Sequence, residues 1–455
     1  MNLADKRLDH VLEAITDRIS KKQTISMRKL SNERKEEIQF GRFIGNPRVS
    51  VEDLENLLYN QASNNCQASH VLLIEDTSQM SFGLNRSIEG LGKVDKGQVK
   101  GFYLHPVLSI DAENGTCYGI PSLEFHSREW KEEHRTRKEL KSARNKIPFE
   151  EKEGYRWYSS IQKALPYCQS IKSKTVVADR ESDIYSVLTG LKERLGIDYL
   201  IRSKHNRPLE AGGKLLEQIN NWTKEFRVNI EVPATDKRSA HKANLILKFG
   251  HVTLKKAEGK SIKKYPEVHS TWVVEAKESL DSVINKEKPI HWILLTSHPV
   301  ETSEMALQIV KWYKQRWNIE QVFRTLKNKG LRIEASQVSD YEKLQKLMIL
   351  ALMSAVKVLQ LIRARDGKTE QLISLAFNNE EEKFIKVLNK SLEGKTEKLK
   401  NPYPEKNLAF AAWTIARLSG WSGYKSQRPA GPIDFLKGLQ IFYERLQGYL
   451  LAEVT

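Results

Sequence analysis

The stretch from Ile309 to Lys327, IVKWYKQRWNIEQVFRTLK, limits what this chain can fold into more than any other. Its apolar residues recur at helical rather than strand spacing, and no Gly or Pro interrupts it before Gly330. The spacing predicts one helix. At about 100° per residue, Trp312, Ile319, Val322, Phe323 and Leu326 share an arc of roughly 100° that would face a core. Tyr313, Arg316, Glu320 and Lys327 share an arc of roughly 60° directly beside it. One carboxylate, two cations and a phenol would then line up where a helix meets a cleft. Such a Glu can bind a hard metal, and Arg and Lys can hold phosphate. An ordinary solvated face presents the same residue types at the same spacings, so the rest of the chain has to discriminate.

The charge balance narrows the partner. Lys and Arg outnumber Asp and Glu by 74 to 57, a net charge of +17, which favours a polyanion, nucleic acid before membrane. Cys66, Cys117 and Cys168 form neither a metal spacing nor a disulfide framework, which fits a reducing cytoplasm. No charged-then-apolar signal pattern opens the chain. The longest apolar run, Leu347 to Met353 and on to Val356, is too short to span a bilayer. A soluble cytoplasmic protein held at the nucleoid by DNA is expected.

A chain of 455 residues suggests about three domains. Residues 1–68 read as helical: Leu8, Val11, Leu12, Ile15 and Ile19 make one stripe, and Ser50 is an N-cap for a helix carrying Leu54, Leu57 and Leu58. Lys21, Lys22, Arg28, Lys29, Arg34, Lys35, Arg42 and Arg48 make this region basic, as a DNA-binding helical domain would be. From His70 the texture is α/β. HVLLIED is a short apolar strand ending at Glu75 and Asp76, and Gly101–Asp111 and Thr116–His126 follow as strands around a turn. Arg128 to Lys146 is densely charged, either a solvated loop or a DNA-facing surface.

In TVVADRESDIY (Thr175 to Tyr185) an apolar strand runs into Asp179, and a helix is expected from about Glu181 to Asp183. A carboxylate at the C-terminal end of a buried strand sits where open α/β sheets place their sites. Asp198 to Arg207 is a strand ending in basic residues, which puts Arg202 and Lys204 near the same edge. Alternating strands between about 207 and 289 read as a β-rich insertion, after which Ile290–Ser297 resumes the α/β domain to about 365. Residues 366–455 are an all-α tail.

Three acids stand out: Asp76 and Asp179 at strand ends, and Glu320 on the helix flank. A ribonuclease-H-like sheet would bring them together. Two divalent cations there can activate a water or a 3′-hydroxyl and stabilise the leaving oxygen of a phosphoryl transfer. Mg²⁺ suits such a site, with Mn²⁺ as a substitute, whereas the absence of a Cys or His cluster argues against zinc.

With those residues in view, the chain resembles the DDE transposases of bacterial cut-and-paste elements, specifically the Tn-five-like group of the insertion-sequence-four family. Tyr313, Arg316, Glu320 and Lys327 reproduce that group's Tyr-x2-Arg-x3-Glu-x6-Lys signature, and IEDTS around Asp76 and DRESDIY from Asp179 match its two Asp motifs. RFIGNP (Arg42 to Pro47) resembles its N-terminal domain, and SGWSGYKSQRPAGP (Ser419 to Pro432) its C-terminal one. The resemblance implies that Asp76, Asp179 and Glu320 hold two Mg²⁺ ions. It implies nicking at each element end, hairpin formation and opening, and strand transfer into target DNA. It further implies that Tyr313, Arg316 and Lys327 grip phosphates, with Arg202 and Lys204 as weaker contacts, and that Trp292 stacks on an unstacked base. A homodimer on two DNA ends, joined through the C-terminal helices, is expected. The region before Asp76 is shorter than in the best-known members by about one short helix. That departure raises the alternative of a catalytically silent relative that binds DNA or dimerises with, and inhibits, an active transposase.

Overall fold

A computed structural model describes residues 3–454 apart from 4, 84–85, 129–142, 144–145, 233–237, 257–263, 286, 328–329, 370 and 425–426. The charged stretch Arg128–Lys146 therefore lies almost wholly outside the described residues.

The strands are β1 (His70–Glu75), β2 (Ser78–Ser81), β3 (Lys93–Val94), β4 (Val99–Asp111), β5 (Cys117–His126), β6 (Ser173–Ala178), β7 (Asp198–Arg202), β8 (Phe226–Val232), β9 (His241–Lys255), β10 (Val268–Glu278) and β11 (His291–Thr296). They join in one sheet with β5 beside β4, followed by β1, β6, β7, β11, β10, β9 and β8. β5, β4 and β1 are antiparallel, whereas β6 and β7 run parallel to β1. This large mixed sheet with helices is consistent with the expected ribonuclease-H-like core.

The β-rich stretch does not form a sheet of its own. β11 returns from it to pair antiparallel with β7, and β10, β9 and β8 continue outward from β11. An exposed β7 edge would leave backbone N–H and C=O groups without partners, and β11 supplies them.

Strand alternation sorts the buried side chains into two faces. Leu72, Ile74, Val177, Leu200, Trp292 and Leu294 belong to one cluster. Val71, Leu73, Val176, Ala178, Tyr199, Ile201 and Leu295 belong to the other. Helices Ser303–Lys314, Trp317–Leu326 and Tyr341–Ala364 contribute to the first cluster, and Arg156–Ala164 and Tyr185–Thr189 to the second. Tyr341–Ala364 outruns the apolar run read from sequence and is long and apolar enough to cross a membrane. However, 83% of its most apolar window is buried inside the fold, as befits a core helix.

The N-terminal stripe behaves as expected: Val11, Leu12, Ile15 and Ile19 of helix Lys6–Lys22 are buried, and that helix packs on Tyr341–Ala364 and Pro432–Val454. Ser50 caps helix Val51–Asn65 in a reciprocal box with Asp53. Arg28, Lys29, Arg34, Lys35, Arg42 and Arg48 remain exposed.

Two local expectations fail. Ile309–Lys327 is not one helix, because Ser303–Lys314 ends and Trp317–Leu326 begins across Gln315 and Arg316. The N–H groups of Gln315, Arg316, Asn318 and Ile319 reach carbonyls three residues back, at 2.9–3.2 Å. The Asn318 side-chain amide also donates to the Gln315 carbonyl at 2.7 Å, the acceptor Ile319 would use in an α-helix. Likewise, the helix after Asp179 begins at Tyr185 rather than at 181–183. Residues ahead of it form a turn whose Asp183 carboxylate is directed to the next loop.

Candidate active site

Asp76 occupies the interruption between β1 and β2. Both strands pair with β4 in one register, Glu75 opposite Val107 and Ser78 opposite Leu104. In that register Pro106 faces Asp76, and proline has no N–H to donate. The ladder lapses there, and the Thr77 N–H donates to Asp76 Oδ1 at 2.8 Å.

Asp179 directly follows β6. Ile74 pairs with Val177, so continuing the parallel register by two residues sets Asp76 beside Asp179. Ala178 pairs with Ile201, and one further step sets Arg202 beside Asp179. Asp76, Asp179 and Arg202 each lie two residues beyond a member of the first core cluster (Ile74, Val177 and Leu200), so alternation directs them toward the face bearing Trp317–Leu326.

Glu320 lies in the first turn and a half of that helix, and Arg316 ties it to the sheet. Nη1 of Arg316 stands 3.0 Å from Asp76 Oδ2, while Nη2 hydrogen-bonds Glu320 Oε1. Burial pushes the Asp76 carboxyl up to about 6; Arg316 pulls it down, and Asp179 and Glu320 push it up again. Asp76 therefore feels the charge of the other two acids.

This donor set fits a hard divalent ion. It offers only oxygen ligands, and its like charges are crowded in a way a cation relieves. As the side chains stand, no three His, Cys, Asp or Glu among the described residues converge closely enough to grip an ion. The Arg316 guanidinium lies between two of the acids instead.

The break at Gln315–Arg316 divides the polar line read from the sequence. Arg316 and Glu320 remain in the cleft. Tyr313 is buried, and burial raises its phenol so that it stays neutral. Lys327 lies past the end of the helix, half-buried, its ammonium pulled down by burial against the pull of Glu334. Trp292 is only 6% exposed, with Tyr313 and Trp317 packed edge-on against it at centroid distances of 5.1 and 5.9 Å. In this structure it is a core aromatic, and a base could reach its face only if those rings parted. Arg202 donates to the His291 carbonyl at 2.9 Å, and Lys204 is exposed.

Several residues around the acids escaped the sequence reading. Asp183 accepts from the N–H groups of Lys204 and His205 at 2.7 and 3.0 Å and pairs with Arg207, which fixes the loop after β7. Glu75, next to Asp76, points to the other face and is fully buried, where Ser160 donates to it at 2.8 Å and His105 lies 3.3 Å away. Burial pushes the Glu75 carboxyl well up and the His105 imidazole well down, so the two form a neutral hydrogen-bonded pair rather than an ion pair. His105 Nδ1 contacts Thr77 Oγ1 at 2.8 Å, which also accepts from Arg156 Nε at 3.0 Å. Strand alternation alone could have assigned Glu75 to the core. Nothing local could have paired Asp183 with a loop twenty residues on.

At the acid edge Asp76 is 22% and Glu320 40% exposed. A cavity of about 590 Å³ lined by His70, Asp111, Tyr118 and Gln371 lies at the opposite end of β1, away from these acids.

Residues 159–357 match the family model of the transposase DDE domain. That match supports a DDE transposase. The matched span contains Asp179 and Glu320 and begins after Asp76, which the sheet register brings to the same edge. A DDE domain implies an enzyme of the nuclease and transposase type, DNA as its substrate and divalent metal ions in its chemistry.

Proposed function

We propose that this protein is a cut-and-paste DNA transposase of the Tn-five-like group in the insertion-sequence-four family, with Asp76, Asp179 and Glu320 as its catalytic acids. The observation that carries the reading is the row of Asp76 and Asp179 on neighbouring parallel strands, closed by Glu320, which shares Arg316 with Asp76. Mg²⁺ ions held by the three acids would supply an activated water or 3′-hydroxyl and a stabilised leaving oxygen. The chain's own residues then do the rest. The break between the two helices carries Arg316 into the cleft, where its planar fork can take two phosphate oxygens. Arg202 and Lys204 flank the same edge for the strand leaving the site, and Lys327 stands beyond it. The basic N-terminal helices (1–68) bind the element ends, and the C-terminal helices (366–455) join two copies. The steps are nicking, hairpin formation, hairpin opening and strand transfer.

The test is to incubate the purified protein and Mg²⁺ with a duplex bearing the element's terminal repeats and to follow nicking and gel shift separately. Asp76→Ala, Asp179→Ala and Glu320→Ala should each lose cleavage by at least about a hundredfold, consistent with loss of a metal ligand. Each should still bind DNA, because the phosphate contacts are basic residues. A Glu320→Ala protein that nicks at the wild-type rate removes this assignment.

A further inference from the structure

Arg316 is placed oddly for a residue whose only task is to hold DNA. Its guanidinium contacts Asp76 and Glu320, two of the three acids, and the Tyr313 phenol lies near it, while its Nε–H is buried and makes no hydrogen bond among the described residues. The fork is thus engaged through both terminal nitrogens and unsatisfied at the third. A buried N–H without a partner is costly, and a carboxylate pair shared in this way cannot satisfy it. Tetrahedral phosphate can reach Nε and Nη together, in the two-pronged geometry that guanidinium favours.

The same oxygens that Arg316 engages are those which the proposed function assigns to divalent ions. Arg316 is always charged, so it and an incoming ion compete for one set of carboxylates. We propose that Arg316 is a tethered counter-ion, which holds the acid cluster neutralised in the DNA-free protein and releases it when DNA phosphate takes the guanidinium. Metal uptake is thereby coupled to DNA binding. Thermodynamic linkage makes the coupling reciprocal, so metal raises DNA affinity by the factor that DNA raises metal affinity. The device keeps the hydrolytic site unarmed until a phosphate backbone is in place.

The inference rests on the reading that Asp76, Asp179 and Glu320 bind divalent ions, and the experiment separates the two. Mn²⁺ binding to the DNA-free, full-length protein is measured by the loss of the free-ion electron paramagnetic resonance signal, with no turnover involved. Wild type, Arg316→Gln, Arg316→Lys and Asp179→Asn are compared, each with its melting temperature. Arg316→Gln is expected to bind Mn²⁺ about tenfold or more tightly than wild type, in the ordinary range of such couplings. Arg316→Lys, which keeps the charge without the fork, should fall between them, and Asp179→Asn should bind weakly. Mn²⁺ should raise the melting temperature of Arg316→Gln more than that of wild type. Equal or weaker Mn²⁺ binding by both Arg316 variants, with Asp179→Asn weaker than wild type, overturns the counter-ion role and leaves the metal reading standing. If Asp179→Asn binds as well as wild type, or none of the four proteins binds Mn²⁺, both the inference and the metal reading fall.

Discussion

Two arginine–carboxylate centres flank Asp179, and they differ in how completely they are satisfied. Arg207 meets Asp183 through Nε and Nη2, and the second Asp183 oxygen takes two backbone N–H groups at 2.7 and 3.0 Å. Both side chains are shut away, at 8% and 0% exposure. Arg316 instead divides itself between Asp76 and Glu320, which are 22% and 40% exposed, and its Nε makes no hydrogen bond among the described residues. The first centre has both Asp183 oxygens and the Nε and Nη2 of Arg207 engaged, and it builds the loop that carries Lys204. The second has both solvent access and an unused donor, so exchange of partners costs it little. Similar ion pairs within one short stretch of sheet edge thus differ in completeness of hydrogen bonding rather than in charge, and the incomplete one is the one that the proposed chemistry uses.

The sharpest way to break that comparison is to remove a carboxylate from each centre. Asp183→Ala strands Arg207 as a buried charge and orphans two backbone N–H groups, so it should cost about 3–5 kcal/mol. Glu320→Ala leaves Arg316 its Asp76 partner and an opening to water, so it should cost about 1 kcal/mol or less. Denaturant melts of the two variants measure the contrast. Equal losses would mean that both centres are structural.

How much of this could be read from the sequence depends on the range of the interaction. The strands were legible because alternation is local, and so was the Ser50 cap, since Asp53 lies three residues away. Asp76 and Asp179 stood out singly as strand-end acids and Glu320 as a helix-flank acid, but no period links positions so far apart, so grouping them needed an expected fold and, for their roles, the resemblance. The continuous helix over Arg316 was misread because Asn318 is innocuous in propensity, and only its actual bond to the Gln315 carbonyl breaks the ladder. The sheet's extension through β11 was invisible for a related reason: alternation fixes which face a residue takes, not which strand edge it joins. Trp292 shows the same limit, since a strand aromatic reads alike whether it is covered by Tyr313 or open to a ligand.

Trp292 sharpens the comparison from behind the exchangeable centre. Its ring, with Tyr313 and Trp317, forms the apolar wall against which the helix break is set. If the wall is a scaffold, Trp292→Ala should cost about 3 kcal/mol and lower nicked and hairpin products alike. Trp292→Phe should recover much of the stability. Quantifying both products beside the melting temperature decides it: a variant that melts normally and nicks normally, yet stalls before the hairpin, would restore the base-stacking role.

The smallest effect is the most specific to the exchangeable centre. The Asp76 carboxyl is held up to about 6 by burial, with Asp179 and Glu320 adding to it against Arg316, whereas in an unfolded chain it would titrate near 3.9. The folded protein therefore binds this proton more tightly than the unfolded one. Its contribution to stability is complete below about pH 4 and is lost as pH rises through the window from about 4 to about 6. At pH 7 the ionised carboxylate costs the metal-free fold on the order of 1–3 kcal/mol. Asp76→Asn cannot ionise and escapes that cost, though it also gives Arg316 a weaker partner. The melting temperature of Asp76→Asn relative to wild type should accordingly rise between pH 4.5 and pH 7, measured without metal by scanning fluorimetry. Mn²⁺ should reverse the trend for wild type alone, because the ion binds the ionised carboxylate and expels the proton. A difference between the two proteins that stays constant over that pH range would mean that the Asp76 carboxyl is not held up by its surroundings, and the crowding of acids around Arg316 would lose its support.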